Sequence, residues 1–351
     1  MRIFFSPKQL AHRPAHYMAA GRLVDHLEIP ERCERLLAAV RGASYVVEAP
    51  RTVFELDVVA RVHTQGYVDF LRTAWERWSS FKNAGPEILP NVHPYRAASD
   101  AAARWPLRAE SVIAQAGHYL GDLACAIGPG TWESALGSAQ TALAAAEAVL
   151  AGDHAAYALC RPPGHHAAAD RAAGFCYLNN AAIAGAFLLQ HFKRVAILDI
   201  DTHHGDGTQW IFYDRADVQF ASIHTDPANY YPYFSGYADE YGVGEGEGFN
   251  LNLPLAPHSG DAEFLDALDD AFAAIQAHRS EALLVSAGFD AHERDPLSVL
   301  KITTDGYRRI GDAIAALKLP TVIVQEGGYN LDMLGANLIA FLGGFNLASR
   351  L

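Results

Sequence analysis

The feature that most constrains the fold is a set of five short apolar runs, rich in Val, Ile, Leu and Ala, from residue 155 onward. Continuous apolar runs of this length are typical of parallel strands that are buried on both faces. They predict strands at residues 155–160, 194–200, 218–224, 282–287 and 321–325. Segments with helical character separate them, at residues 180–191, 209–213, 262–277 and 304–317. The pattern predicts an α/β fold in which helices cover both faces of a mostly parallel sheet.

The composition narrows the class of protein. At 351 residues, the chain is long enough for one large α/β domain or two ordinary ones. Half of its residues are apolar and 19% are charged, which is the balance of a globular enzyme. The net charge of −13 argues against nucleic acid as the main partner, because a phosphate-binding surface needs an excess of cations.

The N-terminal sequence and the cysteines bear on location. The segment MRIFFSPKQL has no apolar signal region, and no stretch of the chain reaches the roughly 18 apolar residues that predict a membrane span. The four cysteines, Cys33, Cys125, Cys160 and Cys176, show no CxxC spacing. We therefore expect a reduced, cytoplasmic chain with no membrane partner.

Residues 83–130 differ from the rest of the chain, because they are rich in proline and carry little strand pattern. A helix is predicted within them at residues 110–124. Two interpretations stay open: a simple connecting excursion, or an insert that faces the substrate or forms a dimer contact. Long loops in compact domains are usually functional, which favours the second.

The strongest concentration of chemical groups follows the run at 194–200. Three carboxylates and two imidazoles lie within eight residues, in the sequence DIDTHHGD that begins at Asp199. Burying such charges without a metal or partners would be very costly. In extended geometry Asp199, Asp201 and His203 point to one side, so alternate residues can converge on one ion.

Three further polar groups follow other predicted strands. His165 and His166 come after a rigid Pro-Pro-Gly turn and suggest positioned acid and base groups. Asp290 could be a metal ligand or a helix cap, and Tyr329 could be an oxyanion donor or a turn residue. Because the carboxyl ends of parallel strands share one edge of a sheet, the four groups should converge there. We predict a metal site of Asp201, His203 and Asp290 with a position left open for water and substrate.

Five motifs, RPPGHH, GFCYLNN, DIDTHHGDGTQ, SAGFD and EGGYN, resemble the histone deacetylase superfamily in order and spacing. The resemblance runs from about His12 to Phe345 and is greatest to the bacterial acetylpolyamine amidohydrolase branch. It implies a single domain over residues 1–351 with a parallel eight-stranded sheet, the fold shared with arginase. Residues 83–130 would then form a loop insert that shapes the substrate channel and a homodimer contact.

The resemblance also implies roles for individual residues. Asp201, His203 and Asp290 would bind one zinc ion, and His165 and His166 would be the catalytic histidines, backed by Asp199 and Asp206. Tyr329 would polarise the scissile carbonyl, and Phe175, Gly174 and Tyr231 would form the channel, with Tyr231 standing where many relatives have Phe. A structural K⁺ or Na⁺ would be held by Asp199, Asp201, His203, Ser222 and Ile223. Arg32 would line an internal cavity.

The reaction implied is hydrolysis of a linear acyl amide by water activated at the metal, with a small acetylated amine as substrate. Polyamine-preferring members place acidic residues at the channel mouth, where this chain has Ile113 and Ala124. Glu110 and Asp122 are the nearby acids. Three alternatives stay open: a protein or peptide acetyl-lysine deacetylase, an arginase-like dinuclear manganese hydrolase, and a non-catalytic acyl-amine sensor. The natural amine, the acyl chain and the metal used in the cell stay open as well.

Overall fold

The computed structural model describes residues 1–94 and 107–348. Its central feature is an eight-stranded sheet in which all paired strands are parallel, in the order β4-β1-β5-β10-β9-β6-β7-β8. These strands are β1 (Arg2–Phe4), β4 (Val47–Glu48), β5 (Ala155–Ala158), β6 (Val195–Asp199), β7 (Val218–Thr225), β8 (Asn250–Leu255), β9 (Ala282–Ala287) and β10 (Thr321–Gln325). A separate antiparallel hairpin pairs β2 (His16–Ala19) with β3 (Arg22–Asp25). The predicted α/β fold with one eight-stranded parallel sheet is confirmed.

Helices cover both faces of this sheet. They are α1 (Pro30–Gly42), α2 (Leu56–Val59), α3 (Gln65–Ser79), α4 (Val112–Tyr119), α5 (Thr131–Leu150), α6 (Asn180–Leu188), α7 (Asp206–Phe212), α8 (Asp261–His278), α9 (Thr304–Ala315) and α10 (Leu334–Ala348). Successive strand residues enter opposite cores: Ile197 packs with the α5 and α6 side, and Leu198 with the α8 and α9 side. Strands buried in this way need apolar residues at every position, which is why their runs are continuous.

The element boundaries show where sequence patterns succeed. The strands predicted at 282–287 and 321–325 have those limits in the structure, whereas β5 and β6 are shorter than predicted because their last residues already belong to the site loops. The short helix at 209–213 begins three residues earlier, at Asp206. The helix at 110–124 is confined to Val112–Tyr119.

Three strands of the eight-stranded sheet escaped prediction. β1 and β4 are three and two residues long, and β8 carries Asn250, Asn252 and Pro254. Such segments lack the long apolar run that identifies a buried strand, and β4 and β8 lie at the two edges of the sheet. Edge strands are paired on one side only, so their sequences are less restricted.

The parallel register brings the functional loops to one edge. Asp199, the last residue of β6, is paired with Ser222 of β7 and Ser286 of β9. The loops that follow β5, β6, β9 and β10 therefore leave the sheet side by side. The part of the insert that the structure describes contacts the loop after β5 through a bridge between Leu120 and Ala172, and it is closed on itself by a bridge between Ile88 and Ile127. Residues 95–106 of the predicted insert lie outside the described residues.

Two expectations on the chain as a whole can be compared with the structure. All four cysteines are free thiols, and all are buried. Among residues 1–94 and 107–348, no helix has the length and apolar character needed to span a bilayer.

Candidate active site

The predicted metal ligands meet at the edge of the sheet. Asp201 and His203 follow β6, Asp290 follows β9, and one potential ligand atom from each lies within 4.8 Å of the others. His203 Nδ1 is 3.0 Å from Asp201 Oδ1 and 3.3 Å from Asp290 Oδ2. One imidazole and two carboxylates form a donor set that binds zinc and leaves a coordination position open.

Asp290 gives the test of whether a cation fits this site. Its carboxylate is buried, and Oδ2 accepts no hydrogen bond from any residue that the structure describes. Burial, together with the nearby Asp201 carboxylate, raises the pKa of Asp290 to about 7. A buried carboxylate oxygen without a donor is costly, and a divalent cation between the two acids removes that cost. The three residues therefore fit a zinc ion.

The two adjacent histidines each contact a buried or half-buried carboxylate through Nδ1. His165 Nδ1 lies 2.9 Å from Asp199 Oδ2, and His166 Nδ1 lies 2.7 Å from Asp206 Oδ1. Such contacts hold the ring orientation and place the proton on Nδ1, which leaves Nε2 free for chemistry. The ring centroids are 4.0 Å apart, so the protonation of one imidazole affects the other.

Their surroundings shift the pKa values of the two histidines in opposite directions. Burial lowers the pKa of His166, and the neighbouring His165 lowers it further. Burial also disfavours the charged form of His165, but the carboxylates of Asp199 and Asp201 outweigh it and raise its pKa well above the usual range. A pair of groups whose pKa values are pushed apart can serve as a base and a cationic partner. The two histidines thus differ in the charge state that their surroundings favour.

Tyr329 lies in the loop that follows β10, and that loop is held from several sides. Gly327 N donates to Asp201 Oδ2 at 2.9 Å, and Asp295 Oδ2 accepts from the backbone N–H groups of Tyr329 and Asn330. A Cβ atom on Gly327 would lie 2.0 Å from Asp290 Oδ2, so only glycine fits there. Burial raises the pKa of the Tyr329 phenol well above its usual range, which keeps its hydroxyl protonated as a donor.

A cavity of about 430 Å³ leads from the surface to this centre. Its walls are rich in aromatic rings: the Phe175 ring lies 5.8 Å from the Tyr329 ring, and the Tyr231 ring meets His166 edge-on at 5.0 Å. Gly174 has a φ of +53°, and a Cβ there would lie 2.3 Å from His166 Cδ2. The three residues predicted to form the channel therefore do line it.

Comparison with known proteins identifies the family. Residues 26–344 match the family model of the histone deacetylase domain. The chain belongs to the histone deacetylase family. It is 46% identical to an acetylpolyamine amidohydrolase of Burkholderia pseudomallei (strain 1710b), with 98% of each chain covered. It is 41% identical to an acetylpolyamine amidohydrolase of Mycoplana ramosa, with 98% of this chain and 99% of that protein covered.

A solved structure agrees with this family assignment. The crystal structure of an acetylpolyamine aminohydrolase from Burkholderia pseudomallei superposes with a TM-score of 0.94 at 46% identity, and 99% of each chain is covered. Similarity over nearly the whole length shows that the eight-stranded sheet described above is the histone deacetylase fold.

The residues predicted for a structural cation also come together in this family member. Asp199, Ser222 and Ile223 lie on adjacent strands, and Asp201 and His203 follow directly. Asp199 Oδ1 accepts from the backbone N–H of Asp201 at 3.1 Å, and Ser222 Oγ lies 2.9 Å from His224 Nδ1. The structural cation itself stays a prediction.

Tyr230 contributes to the site but was not predicted. Its ring stacks on His203 at 5.0 Å with an interplanar angle of 9°, and its hydroxyl donates to the backbone carbonyl of Leu297. It thereby orients a predicted metal ligand. The only sequence signal was its position next to Tyr231, and the distant Leu297 could be found only from the structure.

Glu28 and Arg161 were also missed, and they explain the position of Arg32. Glu28 Oε1 lies 2.7 Å from Arg161 Nε and 3.0 Å from Arg32 Nη1, and all three side chains are buried. Arg161 directly precedes the segment that carries the histidine pair. Arg32 donates to the carbonyls of Glu326 and Gly328 and lies 4.8 Å above the Tyr329 ring. The network links the histidine loop to the tyrosine loop.

The two acidic residues considered for the channel mouth, Glu110 and Asp122, lie in different places. Asp122 lines the channel, whereas Glu110 is exposed and uses its backbone carbonyl to accept from Arg77. Ala124 also lines the channel, and Ile113 is partly exposed on α4. The hairpin of β2 and β3 was not predicted, and its residues Tyr17–Ala20 form another part of the mouth.

Proposed function

We propose that this family member hydrolyses the acetyl amide of a small amine, such as an acetylated polyamine, with zinc as its metal. The observation that carries the proposal is the convergence of Asp201, His203 and Asp290 with a histidine pair and Tyr329 at the end of one aromatic channel. Relatives that match almost the whole chain are named acetylpolyamine amidohydrolases. The similarity of names and the geometry point to the same chemistry.

The metal would be held by Asp201, His203 and Asp290, whose donor atoms are already preassembled. When bound, a zinc ion supplies Lewis acidity toward a carbonyl oxygen and lowers the pKa of water. Tyr230 keeps the His203 ring in place by stacking on it. The Gly327 N–H group donates to Asp201 Oδ2 and orients that carboxylate. The metal ligands would therefore need little reorganisation when the ion binds.

The proton transfers fall to the histidine pair. His166 is neutral because burial and His165 lower its pKa, so its Nε2 can take a proton from the attacking water. The same nitrogen can then give that proton to the leaving amine. Asp206 accepts the hydrogen bond from His166 Nδ1 and stabilises the imidazolium formed in between. Asp199 Oδ2 lies 2.9 Å from His165 Nδ1 and fixes the ring of His165 beside that of His166.

Tyr329 acts on the substrate carbonyl. Its hydroxyl stays protonated and donates a hydrogen bond to the oxygen as negative charge develops there. Arg32 above the ring and Asp295 below the loop backbone hold the tyrosine before substrate arrives. A preorganised donor of this kind stabilises the transition state more than the ground state.

The channel limits what reaches these groups. Phe175, Gly174 and Tyr231 form walls that suit an unbranched chain, and Asp122 places an acidic group beside them. An amine that carries a second positive charge suits such a channel. The homodimer contact by the insert and the structural K⁺ or Na⁺ at Asp199, Asp201, His203, Ser222 and Ile223 belong to the same proposal.

Amine release by the zinc-loaded protein tests the function. Acetylputrescine, acetylcadaverine, acetylspermidine and an acetyl-lysine peptide are compared, with Tyr329→Phe as the matched control. Turnover of the small amines that falls about 10²–10³-fold in Tyr329→Phe is the expected result. Turnover of the peptide alone would support the protein or peptide deacetylase instead. No turnover of any substrate would exclude both activities.

Sedimentation tests the dimer separately. A dimer at micromolar concentration is expected, and a monomer there would contradict the dimer contact. Thermal melting in potassium salts tests the structural cation. Potassium is expected to stabilise the wild-type protein and to have no such effect on Ser222→Ala. Equal stability in potassium and in tetramethylammonium salts would count against it.

A further inference from the structure

Asp122 binds two parts of the channel wall with one oxygen atom. It lies between α4 and α5, in the insert, and its Oδ2 accepts from Tyr231 Oη at 2.7 Å and from Gly174 N at 2.9 Å. Its Oδ1 accepts from Ala124 N at 2.9 Å, which fixes the carboxylate on its own loop. The Asp122 carboxylate thus accepts three hydrogen bonds, from Tyr231, Gly174 and Ala124.

The two donors to Asp122 Oδ2 come from separate segments of the wall. Gly174 precedes Phe175 in the loop that leads into α6, whereas Tyr231 belongs to the loop that follows β7. Both segments pack on His166: the Gly174 position approaches His166 Cδ2 closely, and the Tyr231 ring meets the imidazole edge-on. Asp122 therefore ties together two walls that enclose the proposed base.

Tyrosine at position 231 makes this connection possible. A phenylalanine ring at this position would have no group that Asp122 could bind. Burial raises the pKa of Tyr231 well above its usual range, and Asp122 raises it further, so the hydroxyl stays a donor. A hydrogen bond from a neutral hydroxyl to a carboxylate is stronger than one between neutral groups. Tyr231 and Asp122 are therefore a matched pair.

We propose that Asp122 and Tyr231 are a specificity-determining pair that fixes the width of the channel beside His166, so that unbranched acyl amines enter and branched ones do not. The inference rests on the proposed function, which it makes more specific. With the Tyr231 hydroxyl held, the ring cannot swing away from His166 to admit a wider chain. Without that bond, the Tyr231 ring is held by its contacts with the rings of His166, His203 and Tyr233.

Binding of hydroxamic acids measures the width without requiring turnover. Unbranched and 2-branched alkyl hydroxamic acids are titrated into the zinc-loaded protein by calorimetry, in wild type and in Tyr231→Phe. The ratio of affinities, unbranched over branched, is expected to fall about tenfold in Tyr231→Phe, the size of one hydrogen bond to a charged group. Tyr241→Phe is the matched control, because it removes an exposed tyrosine hydroxyl that lies away from the channel walls, and its ratio should not change.

A double-variant cycle tests whether the two residues act together. Asp122→Asn keeps the shape of the side chain and weakens the acceptor, so its ratio should fall in the same direction. In the Tyr231→Phe/Asp122→Asn protein, the ratio should fall no further than in Tyr231→Phe, because the same bond is already lost. Independent, multiplicative effects would overturn the pair. A ratio that stays within twofold of wild type in Tyr231→Phe would overturn it as well.

A hydroxamic acid with a terminal ammonium group separates width from charge. In one outcome, Asp122→Asn lowers the affinity for the ammonium ligand alone, and Tyr231→Phe leaves all affinity ratios unchanged. The Asp122 carboxylate would then bind the cation directly, and the width proposal would be wrong. Failure of the proposed function looks different: the selectivity for unbranched hydroxamic acids would persist, while no acetyl amine would be hydrolysed. Circular dichroism melting of each variant confirms that the compared proteins are folded.

Discussion

The floor of the channel and its mouth are built in different ways. The floor consists of Asp201, His203, Asp290, the His165–His166 pair and Tyr329, all buried and all positioned within eight residues of strand ends. The mouth consists of the β2–β3 hairpin, Asp122 and the loop of Tyr230–Phe234. Its surface is far more open, with Tyr233 50% exposed and Phe234 92% exposed.

The two regions also differ in what holds their side chains. Each histidine of the floor contacts its own carboxylate, and the Tyr329 loop is bound by Asp295, Arg32 and Asp201 together. In the mouth, Tyr230 and Tyr231 are each anchored by one hydroxyl. Buried charged contacts are costly to break singly, whereas a single hydroxyl bond is not. The floor is therefore suited to chemistry that does not vary, and the mouth to selectivity that can.

Loss of the proposed base should have the largest effect. His166→Ala removes the group that moves the proton, and kcat is expected to fall about 10²–10⁴-fold. Steady-state kinetics on an acetylated amine measures it, with zinc content determined in parallel to show that the metal site is intact. A loss below tenfold with full zinc content would mean that the base lies elsewhere.

Weakening the carboxylate behind that base should have a smaller effect on the same step. Asp206→Asn keeps the shape but removes the charge that orients His166, and kcat should fall about 10–100-fold with KM little changed. A change confined to KM would place Asp206 in substrate binding and would blur the distinction between floor and mouth.

Acid should destabilise the whole fold through a buried neutral histidine that lies outside the floor. His63 Nδ1 lies 3.0 Å from the carbonyl oxygen of Ala168, Nε2 accepts from Asn179 N, and burial lowers its pKa to about 4 from an unfolded value of 6.5. Because the unfolded chain binds the proton first, this stability is complete above pH 6.5 and is lost as the pH falls toward 4. Between pH 7.5 and 5.5, His63 should account for about 1.4 kcal/mol of the lost unfolding free energy.

Urea unfolding at the two pH values checks the contribution of His63. Between the two pH values, the unfolding free energy of His63→Gln should decrease by about 1.4 kcal/mol less than that of wild type. His154→Gln, on the surface, is the control and should show the same decrease as wild type. An unchanged decrease in His63→Gln would show that His63 does not couple folding to acid.

A substitution in the mouth should have the smallest effect. Met18 of the hairpin is 38% exposed and lines the channel, so Met18→Ser should raise KM about threefold and leave kcat unchanged, through loss of part of one apolar contact. Leu23→Ser, in the same hairpin but 58% exposed, is the control and should leave both constants unchanged. A large fall in kcat for Met18→Ser would mean that the hairpin supports the floor.

Sequence alone was sufficient for most of the floor. Continuous apolar runs marked the central strands because a strand buried on both faces tolerates few polar residues. The motif residues followed those runs, and the parallel topology then required Asp201, His203, Asp290, His165, His166 and Tyr329 to meet at one edge. Short and edge strands such as β4 and β8 escaped, since their sequences carry no continuous apolar run.

Only the tertiary structure revealed the contacts that connect distant segments. Glu28 with Arg161, Tyr230 with Leu297, and Asp122 with Tyr231 join residues 67 to 133 positions apart, and no local pattern marks them. A hydrogen bond or ion pair depends on two atoms that meet within about 3 Å, and that meeting is set by packing of the whole domain. Periodicity and spacing report local structure and the strand ends, so they predicted which side chains meet at the floor, whereas the contacts across the channel were decided by folding.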